Sequence, residues 1–293
     1  MTTQHAEADQ PYPYSVAEIQ EKSIATRRAV ISEIAVAGSG HYGSVFSAVE
    51  IFTSLYYGFL RIRPEEPNWG DRDRLVLSKG HACSGIYPIL ADLGYFPAAY
   101  LETFTRLGSR LGDHPDMRKV PGFDFSAGSL GHGLAIGAGI AEAQRLRGSA
   151  SRTVVIMGDG EQNEGQIWEA GAYAGARRLG NMLGIIDVNQ VSVDGPTKEV
   201  LDMQPLGDKW RAFGWLVEEV NGHDIAALLA AYGRYDARRA ISGAPPTMLI
   251  ANTVSGKGVS FIEGMAEWHV GYLHGLDVER ALRDIDSMFE VSK

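Results

Sequence analysis

Residues 153–196 constrain the fold of this chain more than any other stretch. They read TVVIMGDGEQNEGQIWEAGAYAGARRLGNMLGIIDVNQVSVDGP. An apolar run at 153–157 stops at Gly158-Asp159-Gly160, a helical stretch follows at 164–179, and a second apolar run at 182–188 stops at Asn189. Strand, helix, strand over this length reads as a βαβ unit, whose right-handed crossover lays the two strands parallel. Parallel neighbours end on the same sheet edge, so Asp159 and Asn189, 30 positions apart (189 − 159 = 30), are expected side by side. Open α/β sheets bind ligands outside that carboxyl edge. One carboxylate, one carboxamide and adjacent backbone carbonyls make a hard-oxygen corner suited to Mg²⁺ or Ca²⁺ shared with a phosphate. Gly158 and Gly160 let the backbone approach that phosphate closely. A lone Gly-Asp-Gly would be an ordinary turn after a buried strand; the matched Asn189 after a second strand favours a site.

The flanking sequence extends the same α/β pattern. Residues 15–37 read as an amphipathic helix, with Ile19, Ile24, Val30, Ile31 and Ile34 near helical spacing and Ser15 as N-cap. His41-Tyr42-Gly43 follows a glycine turn, and a second helix is expected at 45–60. A short strand at 74–78 leads into Lys79-Gly80-His81, where a histidine can donate to a phosphate oxygen. Lys79 reads as a solvated loop lysine. Helices are expected at 82–93 and 98–107, then a long irregular segment, 108–129, holding Gly112-Asp113-His114-Pro115. Loops of that length in a compact domain are often functional. Gly128-Ser129-Leu130-Gly131 opens a helix at 130–147 whose small residues call for tight packing, with His132 facing solvent. Beyond the βαβ unit come a helix at 206–213, a strand at 215–220, an Asp224-capped helix to about 239, a strand at 247–252 and a terminal helix at 277–291. His223 reads as structural. Ser255-Gly256-Lys257-Gly258 lacks the earlier glycine and the following Ser or Thr of a P-loop.

Composition narrows the class. The chain has 293 residues, 45% of them hydrophobic, enough for one large α/β core or two small ones. A formal net charge of −9 argues against a nucleic-acid surface. Cys83 is the only cysteine, which leaves no internal disulfide and fits a reducing compartment. No apolar run approaches the ~20 residues of a membrane helix. Residues 1–14 lack the basic and apolar regions of a signal peptide and read as a loose tail, so residues 15–293 form the expected domain and a cytoplasmic protein is the default.

With these residues in hand, the chain resembles a known family. Gly158-Asp159-Gly160, about thirty residues and then Asn189 is similar to the signature of thiamine diphosphate enzymes, and GDGEQNEGQIWEA followed by VNQVSVDGP looks like the amino-terminal part of transketolases. The likeness covers nearly all the chain beyond its first dozen residues. It implies a thiamine diphosphate-binding fold, a mostly parallel sheet flanked by helices on both faces. It implies Asp159, Asn189 and the carbonyl of Val191 as metal ligands. Cofactor binding would involve His81, Gly128, Ser129, Leu130, Gly158, Asp159, Gly160, Asn189 and His269. His41, His81, His114, His269 and Glu164 would be the catalytic candidates, Glu164 and Glu169 at a subunit interface. Four positions depart from the family pattern: Tyr42 stands for its proline, Asp113 for the glycine of its Gly-His-Pro, Ser129 where proline is common and His132 where glutamine is often found.

The resemblance reaches only the diphosphate-binding half of transketolases. It implies one component of a split enzyme, a heterotetramer with a separately encoded carboxy-terminal, pyrimidine-binding subunit, using thiamine diphosphate and Mg²⁺ (or Ca²⁺) on sugars or sugar phosphates. A two-carbon ketol unit would pass from a ketose to an aldose. Two other readings stay open at this point: an alpha-type subunit of another thiamine diphosphate enzyme acting on a 2-oxo acid such as pyruvate, and a non-catalytic cofactor-binding subunit.

Overall fold

A computed structural model describes residues 14–291. The expected tail at 1–14 lies outside them except for Tyr14. The chain runs α1 (Val16–Ala37), α2 (Tyr42–Phe46), α3 (Val49–Gly58), β1 (Arg74–Leu77), α4 (Tyr87–Asp92), α5 (His132–Leu146), β2 (Thr153–Gly158), α6 (Gly165–Ala176) and β3 (Met182–Val188). It continues through a small hairpin, β4 (Val191–Ser192) and β5 (Gly195–Pro196), then α7 (Thr197–Leu201), α8 (Leu206–Ala212), β6 (Leu216–Asn221), α9 (Ile225–Arg239), β7 (Thr247–Asn252) and α10 (Leu276–Val291). Five strands form one sheet in the order β1-β2-β3-β7-β6, every pair parallel.

Strand alternation sorts side chains to two cores. Leu75, Leu77, Val154, Ile156, Leu183 and Ile185 face the helices α1, α3 and α9. Val76, Val155, Met157, Met182 and Ile186 face the layer containing α5, α6 and α8. The α5 layer is as tight as its small residues require. A Cβ on Gly133 would meet the Cβ of Ser78 at 2.4 Å, and one on Gly137 would meet Val155 Cγ2 at 2.3 Å. α1 starts with a full capping box: Ser15 Oγ accepts from the Glu18 amide and Glu18 accepts from the Ser15 amide.

Three expected helices come out differently. The 45–60 helix is broken at Ser47-Ala48, where Ser47 Oγ lies 2.6 Å from Oδ2 of Asp187 on β3 and accepts from Nδ2 of Asn189. That bond draws the helix junction onto the sheet edge at the cost of helical continuity. The helix expected at 98–107 is only a 3₁₀ stretch, Ala98–Thr103, after which Thr105 takes a left-handed φ of 57° and its amide donates to Leu111 O. Likewise the 82–93 helix is a 3₁₀ stretch, Gly80–Gly85, followed by α4.

Candidate active site

The tips of β2 and β3 meet as the parallel pairing requires. Gly158 is in register with Asp187, and the Asp159 amide donates to Asp187 O at 3.1 Å. Asp159 Oδ1 accepts from the Gly160 amide at 2.9 Å; its Oδ2 accepts from the Gln190 amide at 2.8 Å and lies 3.3 Å from Thr197 Oγ1. Gln190 reaches that bond through a left-handed φ of 64°. Asn189 is buried, and its Oδ1 accepts from the Val191 amide at 3.0 Å. Burial, with the Asp187 carboxylate beside it, raises the Asp159 pKa to about 6. A carboxylate so placed gains from a cation.

Gly158, Asp159, Gly160 and Asn189 line a cavity of about 280 Å³ together with Lys79, His81, Leu130, Glu164 and His269. Val191 also borders it. His41 stands just outside, its ring centroid 5.0 Å from His81, 5.8 Å from His269 and 6.2 Å from His114, so four imidazoles from four separate segments converge. Burial first, and then the neighbouring Lys79 and imidazoles, hold His81 well below the usual histidine range. His269 is pushed down to about 4, again chiefly by burial. Both are neutral at pH 7, able to donate one hydrogen bond and accept another.

Gly128 and Ser129 are exposed and do not border the cavity; Leu130 does. Gln166 Nε2 holds that turn by donating to Leu130 O at 3.0 Å. Gly131 follows with φ 85°, and a Cβ there would strike Glu164 Cβ at 2.7 Å. Glu164 is exposed at the N-terminus of α6, and Glu169 is exposed one turn on.

Lys79 is the clear correction. It is 1% exposed, not a solvated loop residue, and its Nζ donates to Asp187 Oδ2 at 2.5 Å and Ser44 O at 2.8 Å. Asp187 is fully buried and also accepts from Thr253 Oγ1 and Ser47 Oγ. Sequence reasoning misses Glu161 as well. Its carboxylate accepts from Ser78 Oγ, from the Gly131 amide at 2.6 Å and from the Gly158 amide at 3.1 Å, tying three segments of the site together. The one sequence signal for both is a charge next to a glycine at a strand tip. His223 is structural as expected: Nδ1 lies 2.9 Å from Glu50 Oε2, while Nε2 accepts from the Val254 amide.

The donor set fits a hard divalent ion and a diphosphate. Asp159, Asn189 and the Val191 carbonyl are oxygen donors, and a Cβ on Gly158 would meet only Lys79 Cδ, at 3.8 Å, leaving open backbone. Asn163, on the same cavity, has a buried Oδ1 with no hydrogen-bond partner. Among the described residues no three His, Cys, Asp or Glu side chains gather as a metal cluster.

Known proteins resemble this chain along most of its length. A 6-deoxy-6-sulfo-D-fructose transketolase subunit from Clostridium sp. (strain MSTE9) is 41% identical over 252 residues, covering 86% of this chain and 90% of that one. An apulose-4-phosphate transketolase subunit from Actinobacillus succinogenes is 40% identical, covering 94% of this chain and 98% of that one. The crystal structure of transketolase from Campylobacter jejuni superposes with a TM-score of 0.83 at 29% identity, covering 92% of this chain but 43% of that one. The chain thus spans nearly all of the subunit-type relatives and under half of the longer transketolase. The family model described as transketolase, thiamine diphosphate binding domain, matches residues 19–287, and the chain belongs to that family.

Proposed function

We propose that this chain is the diphosphate-binding subunit of a two-chain transketolase that moves a two-carbon ketol unit from a ketose, or its phosphate, to an aldose. The observation that carries the reading is the convergence of Asp159, Asn189, Val191, His81 and His269 on one cavity, in a chain the length of relatives named as transketolase subunits. Asp159, Asn189 and the Val191 carbonyl would hold Mg²⁺. His81 and the backbone around Gly158 and Gly160 would hold the cofactor's diphosphate, with Leu130 and the Gly128-Ser129 turn against its ring. When bound, thiamine diphosphate supplies the carbon nucleophile that carries the two-carbon unit. His41, His114 and His269 face the sugar, donating to its oxygens and moving protons as hydroxyls become carbonyls and the reverse.

The partner is a separately encoded pyrimidine-binding chain, two of each subunit forming a heterotetramer with Glu164 and Glu169 at the contact. Among the described residues no helix is long and apolar enough to cross a membrane. A cytoplasmic setting fits a chain whose lone cysteine is buried and reduced. The test is reconstitution. The purified chain alone should transfer nothing, and adding the partner with thiamine diphosphate and Mg²⁺ should give ketol transfer from a ketose phosphate and none from pyruvate. Robust turnover by the single chain, or a preference for pyruvate, would overturn the assignment.

A further inference from the structure

Asp113 occupies a position where the family pattern has glycine, and its side chain points back into the ring of imidazoles. Its Oδ1 lies 3.4 Å from Nδ1 of His41, and its Oδ2 lies 4.0 Å from Nδ1 of His114. Nδ1 of His41 is buried and has no hydrogen-bond partner of good geometry, so the carboxylate is placed to act on it by charge. The loop that presents Asp113 is pinned from below: Tyr87 Oη donates to Gly112 O at 2.8 Å, and Cys83 Sγ lies 3.4 Å from Asp113 O. The carboxylate therefore has a fixed address. It is half-exposed and open to a ligand entering the imidazole ring. Burial works to raise its pKa, but the two histidines outweigh that effect and hold it ionised.

The consequence is electrostatic. His81 and His269 are neutral, so they do not cancel a negative charge at the rim. A carboxylate there accepts a hydrogen bond from a substrate hydroxyl and repels a substrate anion brought to the same corner, an effect strengthened where water is excluded. We infer that Asp113 is a specificity-determining residue, favouring donor substrates that present a hydroxyl to His41 and His114 and turning away those that present a carboxylate there. The inference rests on the ketol-transfer reading given above.

The reconstituted two-chain enzyme, loaded with thiamine diphosphate and Mg²⁺, tests it with two donors: a ketose phosphate, and 3-hydroxypyruvate, whose carboxylate is bonded to the reacting carbonyl. The readout is the ratio of kcat/KM for the two. Asp113→Asn, which keeps the shape and removes the charge, should shift that ratio toward 3-hydroxypyruvate by about tenfold. Asp113→Gly should shift it in the same direction, and Asp113→Glu should retain the wild-type preference. Thermal melts of each variant confirm that the fold is kept. A ratio unchanged within about twofold in both the Asn and Gly variants overturns the role of Asp113 while leaving ketol transfer intact. Absence of turnover of both donors by the wild-type pair sinks the transfer reading itself, and this inference with it.

Discussion

At the scale of single residues, the site is built on a buried ion pair. Lys79 and Asp187 are each almost wholly out of water, and each carries further hydrogen bonds that satisfy the charge. Removing one partner leaves the other charged and unpaired in the interior, which typically costs about 3–5 kcal/mol. Asp187→Ala is therefore expected to lose stability on that scale in urea denaturation of the isolated chain. Replacing both members with apolar residues of similar size should cost much less than the sum of the two single changes. A second residue-scale effect involves protons. His269 has a folded pKa of about 4 against an ordinary 6.5, so the unfolded chain binds the proton first as pH falls. The stability contributed by this group is complete above about pH 6.5 and is lost as pH drops toward 4. His269→Asn should lower the melting temperature less between pH 7 and pH 4.5 than the wild-type sequence does, and an equal drop would show that the histidine is not held neutral.

At the scale of elements, α5 gives a paired prediction. Gly137 and Gly139 are two positions apart on one helix, yet they face opposite surroundings. A Cβ on Gly137 runs into Val155 of β2, whereas one on Gly139 meets nothing within 4 Å. Gly137→Ala should destabilise by about 1–3 kcal/mol through overpacking. Gly139→Ala should stabilise by about 0.5–1 kcal/mol, because alanine gives up less chain entropy in a helix. The same helix shows what is legible in sequence. Its small residues announce close packing, and the apolar runs of β2, β3 and β7 announce a parallel sheet, because both signals are local and periodic. The break at Ser47-Ala48 is not legible, since it depends on a hydroxyl meeting Asp187 and Asn189, 140 and 142 positions away. Lys79 misleads for the same reason. A lysine after a strand looks solvated until the carboxylate 108 positions on is brought beneath it.

At the scale of the whole molecule, four histidines, the Asp159–Asn189 corner and Leu130 come from separate segments and meet only when the sheet is assembled. Their arrangement is thus coupled to folding, and a ligand that binds them stabilises the fold by mass action. At a free ligand concentration of 100 Kd that stabilisation is about 2.7 kcal/mol. For the reconstituted pair, thiamine diphosphate with Mg²⁺ should raise the melting temperature, and chelation of the metal should reverse the rise. Asp159→Ala should abolish it. That variant removes the one carboxylate of the donor set along with the acceptor for the Gly160 and Gln190 amides. Its melting temperature without ligand separates the two losses: a protein that still folds but no longer gains from cofactor and metal has lost only its site. A ligand-induced rise of unchanged size in Asp159→Ala would mean that the cofactor is held elsewhere, and the strand-tip corner would lose its claim to the metal.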